Sequence, residues 1–187
     1  MNYLETTIAG FGGQGILSAG RILAYAGLIA KKSVSWYPSY GPEMRGGTAN
    51  CGVVIANEEI GSPIISNPHA AIVMNIASLD KFESELRPNG LLIVDSSLVP
   101  VREVRKDIEA YFIPATEIAD SLGNKTFANI VMLGKLIGKT GIVTPENFEA
   151  ALKKSLPPKK HFMIPDEMKA LEYGMNFQNE DKLANCY

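Results

Sequence analysis

The chain has 187 residues, 46% hydrophobic and 20% charged, a composition that fits one folded domain and rules out wholesale disorder. Its 18 Lys+Arg against 20 Asp+Glu give a formal net charge of -2, which disfavours nucleic acid as a partner. Two cysteines and two histidines, scattered along the chain, make neither a structural zinc site nor an Fe–S cluster, and they suit a reducing compartment.

The first seven residues carry Glu5 and no basic residue, so they do not read as a secretory signal. The run 16–30 is apolar but is broken by Ser18 and Arg21, too interrupted for a membrane span. A cytoplasmic protein is expected, with no membrane partner. In chain order, 6–9 reads as a strand that meets a glycine cluster, and the cluster opens a helix rich in apolar residues. A second strand is expected at 34–37. Prolines and glycines then exclude regular structure over 38–48. Strands follow at 50–56 and 60–66. The apolar runs 70–74 and 91–94 read as strands buried on both faces, separated by an amphipathic helix at 78–87. A helix at 101–108, a strand at 111–113, and helices at 116–122 and 127–137 come next. Thr144 followed by Pro145 is an N-cap with proline at the first helical position, opening a helix to about Leu156. Residues 157–160 read as a linker to a last helix at 165–177. Strands alternating with helices predict a three-layer α/β/α sandwich with a mostly parallel or mixed central sheet. The expected division is an α/β domain at 1–156 and a linker with a C-terminal helical arm at 157–187. The arm, with Phe162, Met163, Met168, Leu171 and Phe177, either docks a partner or packs back on its own domain.

Two segments carry candidate chemistry. Gly10-Phe11-Gly12-Gly13-Gln14-Gly15 satisfies G-x-G-x-x-G between a strand and a helix, where backbone amides and the helix dipole favour an anion. The glycines would equally permit tight helix-on-strand packing. No Asp or Glu occurs between Glu5 and Glu43, so the acidic ribose anchor of a dinucleotide fold is missing. The second segment is Ser39-Tyr40-Gly41-Pro42-Glu43-Met44-Arg45-Gly46-Gly47. Arg45 offers planar donors for phosphate or carboxylate, or else pairs locally with Glu43. In an open α/β sheet the two segments share the crevice at the carboxyl ends of the strands. Asp95 ends a buried strand, as a crevice residue or as a cap. His69 and His161 stand alone and read as structural, and Cys51 reads as a small core residue. No catalytic nucleophile–base pair and no metal ligand set is expected.

Together with Pro114-Ala115-Thr116-Glu117-Ile118-Ala119, Gly123-Asn124 and Asn129-Ile130-Val131-Met132-Leu133-Gly134, these segments resemble the gamma subunit of 2-oxoacid:ferredoxin or flavodoxin oxidoreductases. The likeness runs over nearly all of 1–154, and the wording of the first two segments is most similar to the 2-oxoglutarate branch. A pyruvate- or indolepyruvate-specific relative and an independent Rossmann-like nucleotide-binding module are the alternatives. The resemblance implies a fold like domain III of pyruvate:ferredoxin oxidoreductase and a chain that is not active alone. Alpha, beta and delta-type subunits would accompany it, with ferredoxin or flavodoxin as electron acceptor through the complex. Thiamine diphosphate and Fe–S clusters would sit in those partners. This chain would help bind coenzyme A for oxidative decarboxylation to succinyl-CoA and CO2, with the glycine segment and the segment 39–47 as the binding residues.

Overall fold

A computed structural model describes residues 1–40 and 48–179. Six strands form one sheet in the order β2-β3-β1-β4-β5-β6. They are β1 (Tyr3–Phe11), β2 (Ser33–Tyr40), β3 (Thr48–Ala56), β4 (Ala70–Val73), β5 (Leu91–Asp95) and β6 (Glu109–Ile113). β1, β4, β5 and β6 run parallel, while β3 lies antiparallel to both β1 and β2. The helices are α1 (Ile16–Ile29), α2 (Ile76–Glu85), α3 (Ala115–Ser121), α4 (Ala128–Thr140), α5 (Pro145–Ser155) and α6 (Ile164–Asn176).

Alternation along the strands divides the core. Ile8, Ile72, Ile93 and Ile113 face the layer containing α1, α3, α4, α5 and α6. Ala9, Val73, Val94 and Phe112 face Leu79 and Phe82 of α2 and the irregular segment with Val99. With side chains alternating every residue and both faces covered, the inner strands must be apolar throughout, which is why β4 and β5 read as unbroken hydrophobic runs. The expected three-layer sandwich with a mixed sheet is therefore present, C-terminal helices included.

Three expectations are corrected. Residues 60–66 form no strand; Gly61 and Pro63 interrupt the run, and Ile64 is exposed. Residues 101–108 are not helical. Arg105 is instead drawn to the end of α2, where its Nη1 donates to Leu86 O at 2.8 Å and Glu83 O at 3.0 Å, satisfying carbonyls that a helix end leaves open. Finally, β2 continues through Pro38 and Ser39 to Tyr40, and β3 begins at Thr48. Proline is tolerated there because β2 is an edge strand, with one side of its backbone free of ladder bonds.

The helix caps follow local chemistry. Thr144 caps α5 with a capping box: its Oγ1 accepts from Asn147 N at 3.3 Å, and Asn147 Oδ1 accepts from Thr144 N at 3.3 Å. Asn75 Oδ1 accepts from Ser78 N at 2.7 Å to open α2. Residues expected to be a linker wind into a 3-10 turn, Pro158–Met163, which leads directly into α6. That helix lies on α4 with backbone in contact with backbone. A Cβ on Gly134 would overlap Leu171 O, and one on Gly174 would overlap Val131 O. Leu171 and Phe177 are buried in the main core, Met163 and Met168 pack against it, and Phe162 is exposed. At the far end of α6 the buried Lys135 Nζ donates to Phe177 O at 2.5 Å and lies 4.0 Å from the Tyr111 ring centre; burial pulls its pKa below the usual lysine value. No helix among the described residues is long and apolar enough to cross a membrane.

Candidate functional site

β1 delivers the glycine segment to the carboxyl rim of the parallel strands, and α1 carries the chain away from it. The turn is set by its own side chain. Gln14 Oε1 accepts from Phe11 N at 2.6 Å, Gln14 N donates to Phe11 O at 3.2 Å, and Gln14 Nε2 donates to Met74 O at 3.1 Å at the end of β4. From the other side Asn129, near the start of α4, donates through Nδ2 to Gly15 O at 3.2 Å and Gln14 O at 3.4 Å. Gly15 occupies the N-cap of α1 with φ 75°, and Gly13 has φ 101°, both in the left-handed region that disfavours residues with a Cβ. No side chain caps α1, and its first turn holds no acidic residue. Among the described residues its leading amides and the positive end of its dipole therefore have no side-chain acceptor, the electrostatics an anion requires.

The second segment begins and ends at the same rim. Phe11 is the register partner of Thr48, Gly10 of Ala49, and Ala49 of Tyr40. Thr48 and Tyr40 are thus anchored one and two strands away from the glycine turn, respectively. Of the residues singled out in this segment, Ser39 lies in β2, whereas Gly41, Pro42, Glu43, Met44, Arg45, Gly46 and Gly47 lie outside the described residues. Phe11, Trp36 and Tyr37 are exposed large hydrophobics.

A cavity of about 430 Å3 opens beside the glycine turn. Gly13, Gln14 and Gly15 form part of its wall, with Ile22, Met74 and Ile130 supplying apolar surface. Lys125, Lys160 and Glu167 also line it. Glu167 is only 6% exposed, and its Oε2 is buried with no hydrogen-bond donor. Burial pushes its carboxyl up to about 7, against an opposing pull from the charge of Lys160.

The remaining sequence candidates fall outside this crevice chemistry. Asp95 is fully buried and acts as a cap, accepting from Ser97 N at 3.1 Å and Thr116 Oγ1 at 2.6 Å. His69 lies at the opposite end of the sheet, where its Nδ1 accepts from Glu5 N at 3.1 Å and Arg87 Nη2 donates to Glu5 Oε2 at 2.6 Å. Burial, helped by Arg87, holds its imidazole below the ordinary value. His161 Nε2 is 3.1 Å from Leu156 O. Cys51 is wholly buried and its thiol is pushed up to about 12 by burial, so it is not a thiolate nucleophile. Sequence reasoning gave Lys160 and Glu167 no part in the site, and named Asn129 only within the segment that carries the resemblance. The one available signal was Asn129, a polar residue opening an otherwise apolar helix.

The model of the pyruvate ferredoxin/flavodoxin oxidoreductase family matches residues 5–177. The ketoisovalerate oxidoreductase subunit VorA of Methanothermobacter thermautotrophicus is 40% identical over 180 residues, which are 95% of this chain but 37% of VorA. The chain thus spans little more than a third of that relative. The 2-oxoglutarate synthase subunit KorC of Methanothermobacter marburgensis is 39% identical over 165 residues, covering 82% of this chain and 87% of KorC. Among solved structures, the gamma subunit of a keto/oxoacid ferredoxin oxidoreductase from Geobacter sulfurreducens PCA superposes with a TM-score of 0.78 at 29% identity, covering 97% of this chain and 99% of that one. A 2-oxoglutarate:ferredoxin oxidoreductase from Magnetococcus marinus, solved with 2-oxoglutarate, coenzyme A and succinyl-CoA bound, shares the fold with a TM-score of 0.84 at 21% identity. This chain covers 30% of it.

Proposed function

The chain belongs to the pyruvate ferredoxin/flavodoxin oxidoreductase family, and from that premise we propose that it is the gamma subunit of a 2-oxoglutarate:ferredoxin or flavodoxin oxidoreductase. In this reading it helps bind coenzyme A beside a thiamine diphosphate held by partner subunits, which also carry the Fe–S clusters. Partners of alpha, beta and delta type complete the enzyme in the cytoplasm. The observation that carries the reading is the uncapped glycine turn at the sheet rim, with the anchors of the segment 41–47 beside it. The diphosphate of coenzyme A is an anion of the kind such amides attract, and Arg45 adds a bidentate cation. Gly10, Phe11, Gly12, Gly13, Gln14 and Gly15, with Ser39 to Gly47, form the proposed binding surface. Within it Gln14 shapes the turn, since both ends of its amide are engaged by backbone. The chain's part is orientation: it turns the encounter of the second substrate into a positioned one.

A second reading has its own support. VorA is 40% identical over 95% of this chain, which favours a branched-chain 2-oxoacid such as ketoisovalerate. Assay of the complex that co-purifies with this chain separates the two: CoA-dependent reduction of ferredoxin with 2-oxoglutarate supports the first, and with ketoisovalerate the second. In that complex Arg45→Ala should raise the KM for coenzyme A with little effect on folding. Unchanged saturation by coenzyme A would remove Arg45 from the site.

A further inference from the structure

The amino end of the sheet, opposite the glycine turn, holds a charged corner built around His69. Arg87, just past α2, donates through Nε and Nη2 to Asn67 O at 3.2 and 2.8 Å, and through Nη2 to Glu5 Oε2 at 2.6 Å. Its Nη1 lies 2.6 Å from His69 Nε2. On the other side of the ring, Glu5 N donates to His69 Nδ1 at 3.1 Å. A guanidinium and a backbone amide are donors only, so both ring nitrogens face donors. A neutral imidazole has one lone pair to offer them, and an imidazolium has none. A second ring proton therefore breaks whichever bond the neutral ring makes, and it sets a cation 2.6 Å from the guanidinium. The anion against the ring is Glu5, with Oε2 3.4 Å from Nδ1, but Arg87 already neutralises it. Tyr3 meets the ring edge-on at 5.7 Å between centres and donates its hydroxyl to Glu5 Oε1 at 3.2 Å; Glu58 acts on that hydroxyl through its charge.

We propose that His69 is a proton-operated latch on the segment between β3 and β4. Neutral, the ring keeps the Arg87 guanidinium in place, and the guanidinium ties Asn67 O to Glu5. Protonated, the ring expels the guanidinium and the segment loses that tie to β1. What the latch holds down is Ile65, which lies over Gly52 in the middle of β3, where a Cβ would come within 3.0 Å of it. Release therefore uncovers one face of β3. Burial, and after it the charge of Arg87, holds the ring below its ordinary 6.5 against the pull of Glu5. The folded chain thus binds the proton less readily than the unfolded one. The contribution of the closed latch is complete above about pH 6.5 and is lost as pH falls through the lower folded value. The device sits at the other end of the sheet from the proposed coenzyme A surface, and neither depends on the other.

The chain has two histidines, so ring titration by NMR on the full chain is uncrowded, and the His69 signal is identified by its loss in His69→Gln. It should titrate below 6.5, and Arg87→Met should raise its midpoint. Release is read by hydrogen exchange at the amides of His69, Arg87 and Leu91, which bond Glu5 O, Pro68 O and His69 O across this corner. His69→Gln keeps an acceptor oxygen and cannot gain a proton, so comparison with it at each pH cancels the intrinsic pH dependence of exchange. The ratio of wild-type to variant exchange rates should rise about tenfold or more between pH 7.5 and a pH below the ring's midpoint, the worth of a hydrogen bond to a charged group. Thermal melts of each variant at pH 7.5 exclude misfolding. A ring that titrates at or above 6.5, a midpoint indifferent to Arg87→Met, or an exchange ratio that stays constant through the titration overturns the latch.

Discussion

Replacing Glu167 with Gln should flatten part of the pH dependence of folding. The carboxyl stands at about 7 in the fold against an ordinary 4.5, raised by burial. Between those values the folded chain holds a proton that the unfolded chain has released. Stability from this group is therefore complete below about pH 4.5, declines as pH rises, and is lost once pH passes about 7. At about 1.4 kcal/mol per pH unit, the gap comes to about 3 kcal/mol. Solvent screens the group little, because the residue is 6% exposed. The assay is urea unfolding of the full chain from pH 4.5 to 8, for wild type and Glu167→Gln. Every other titratable group is common to both proteins and cancels in the difference. The Gln variant should gain on wild type progressively above pH 5 and lead by up to about 3 kcal/mol at pH 8. Parallel curves over the whole range would refute the reasoning and mean that Glu167 is hydrated or paired.

Two further changes probe the frame around the site. Gly174→Ala puts a methyl group into the Val131 carbonyl oxygen, and since backbone cannot move aside cheaply, α4 and α6 must separate. A loss of about 1–3 kcal/mol or more is expected in thermal or urea unfolding, and an unchanged midpoint would show that the helices stand further apart. Asn129→Leu keeps the volume but removes the donor that holds Gln14 O and Gly15 O. It should cost about 1–3 kcal/mol and speed hydrogen exchange at residues 12–15 beyond what global destabilisation explains; equal local and global changes would assign Asn129 to packing alone.

Local chemistry made much of this fold readable in advance. The strand–glycine–helix unit, the two-sided strands β4 and β5, and the Thr144–Pro145 start of α5 are each written within a dozen residues. What was not readable depends on distant partners. The segment with Arg105 looks helical by composition, but the carbonyls at the end of α2 claim its guanidinium. Ile64 and Ile65 look like a strand, yet Gly61 and Pro63 break the run, and β3, which precedes them, is already paired on both sides, with β2 and β1. At the site, the glycine turn was legible as a motif. Its two restraints were not, since Gln14 reaches Met74 and Asn129 reaches Gly15 across 60 and 114 residues. Glu167 gave no signal at all, because an acid on a terminal amphipathic helix is ordinarily solvated. In the fold it is 6% exposed, on a helix that Gly134 and Gly174 let lie close against α4.

β3, the one strand that runs against its sheet, has a further consequence. Tyr40 and Thr48 are fixed by ladder bonds whose register with β1 does not involve residues 41–47. A different sequence, or a different number of residues, can therefore be grafted between those two posts without rewriting the sheet beneath. Under the proposed function, exchanging that one span would change what this rim of the sheet is offered to, while the glycine turn beside it stays untouched.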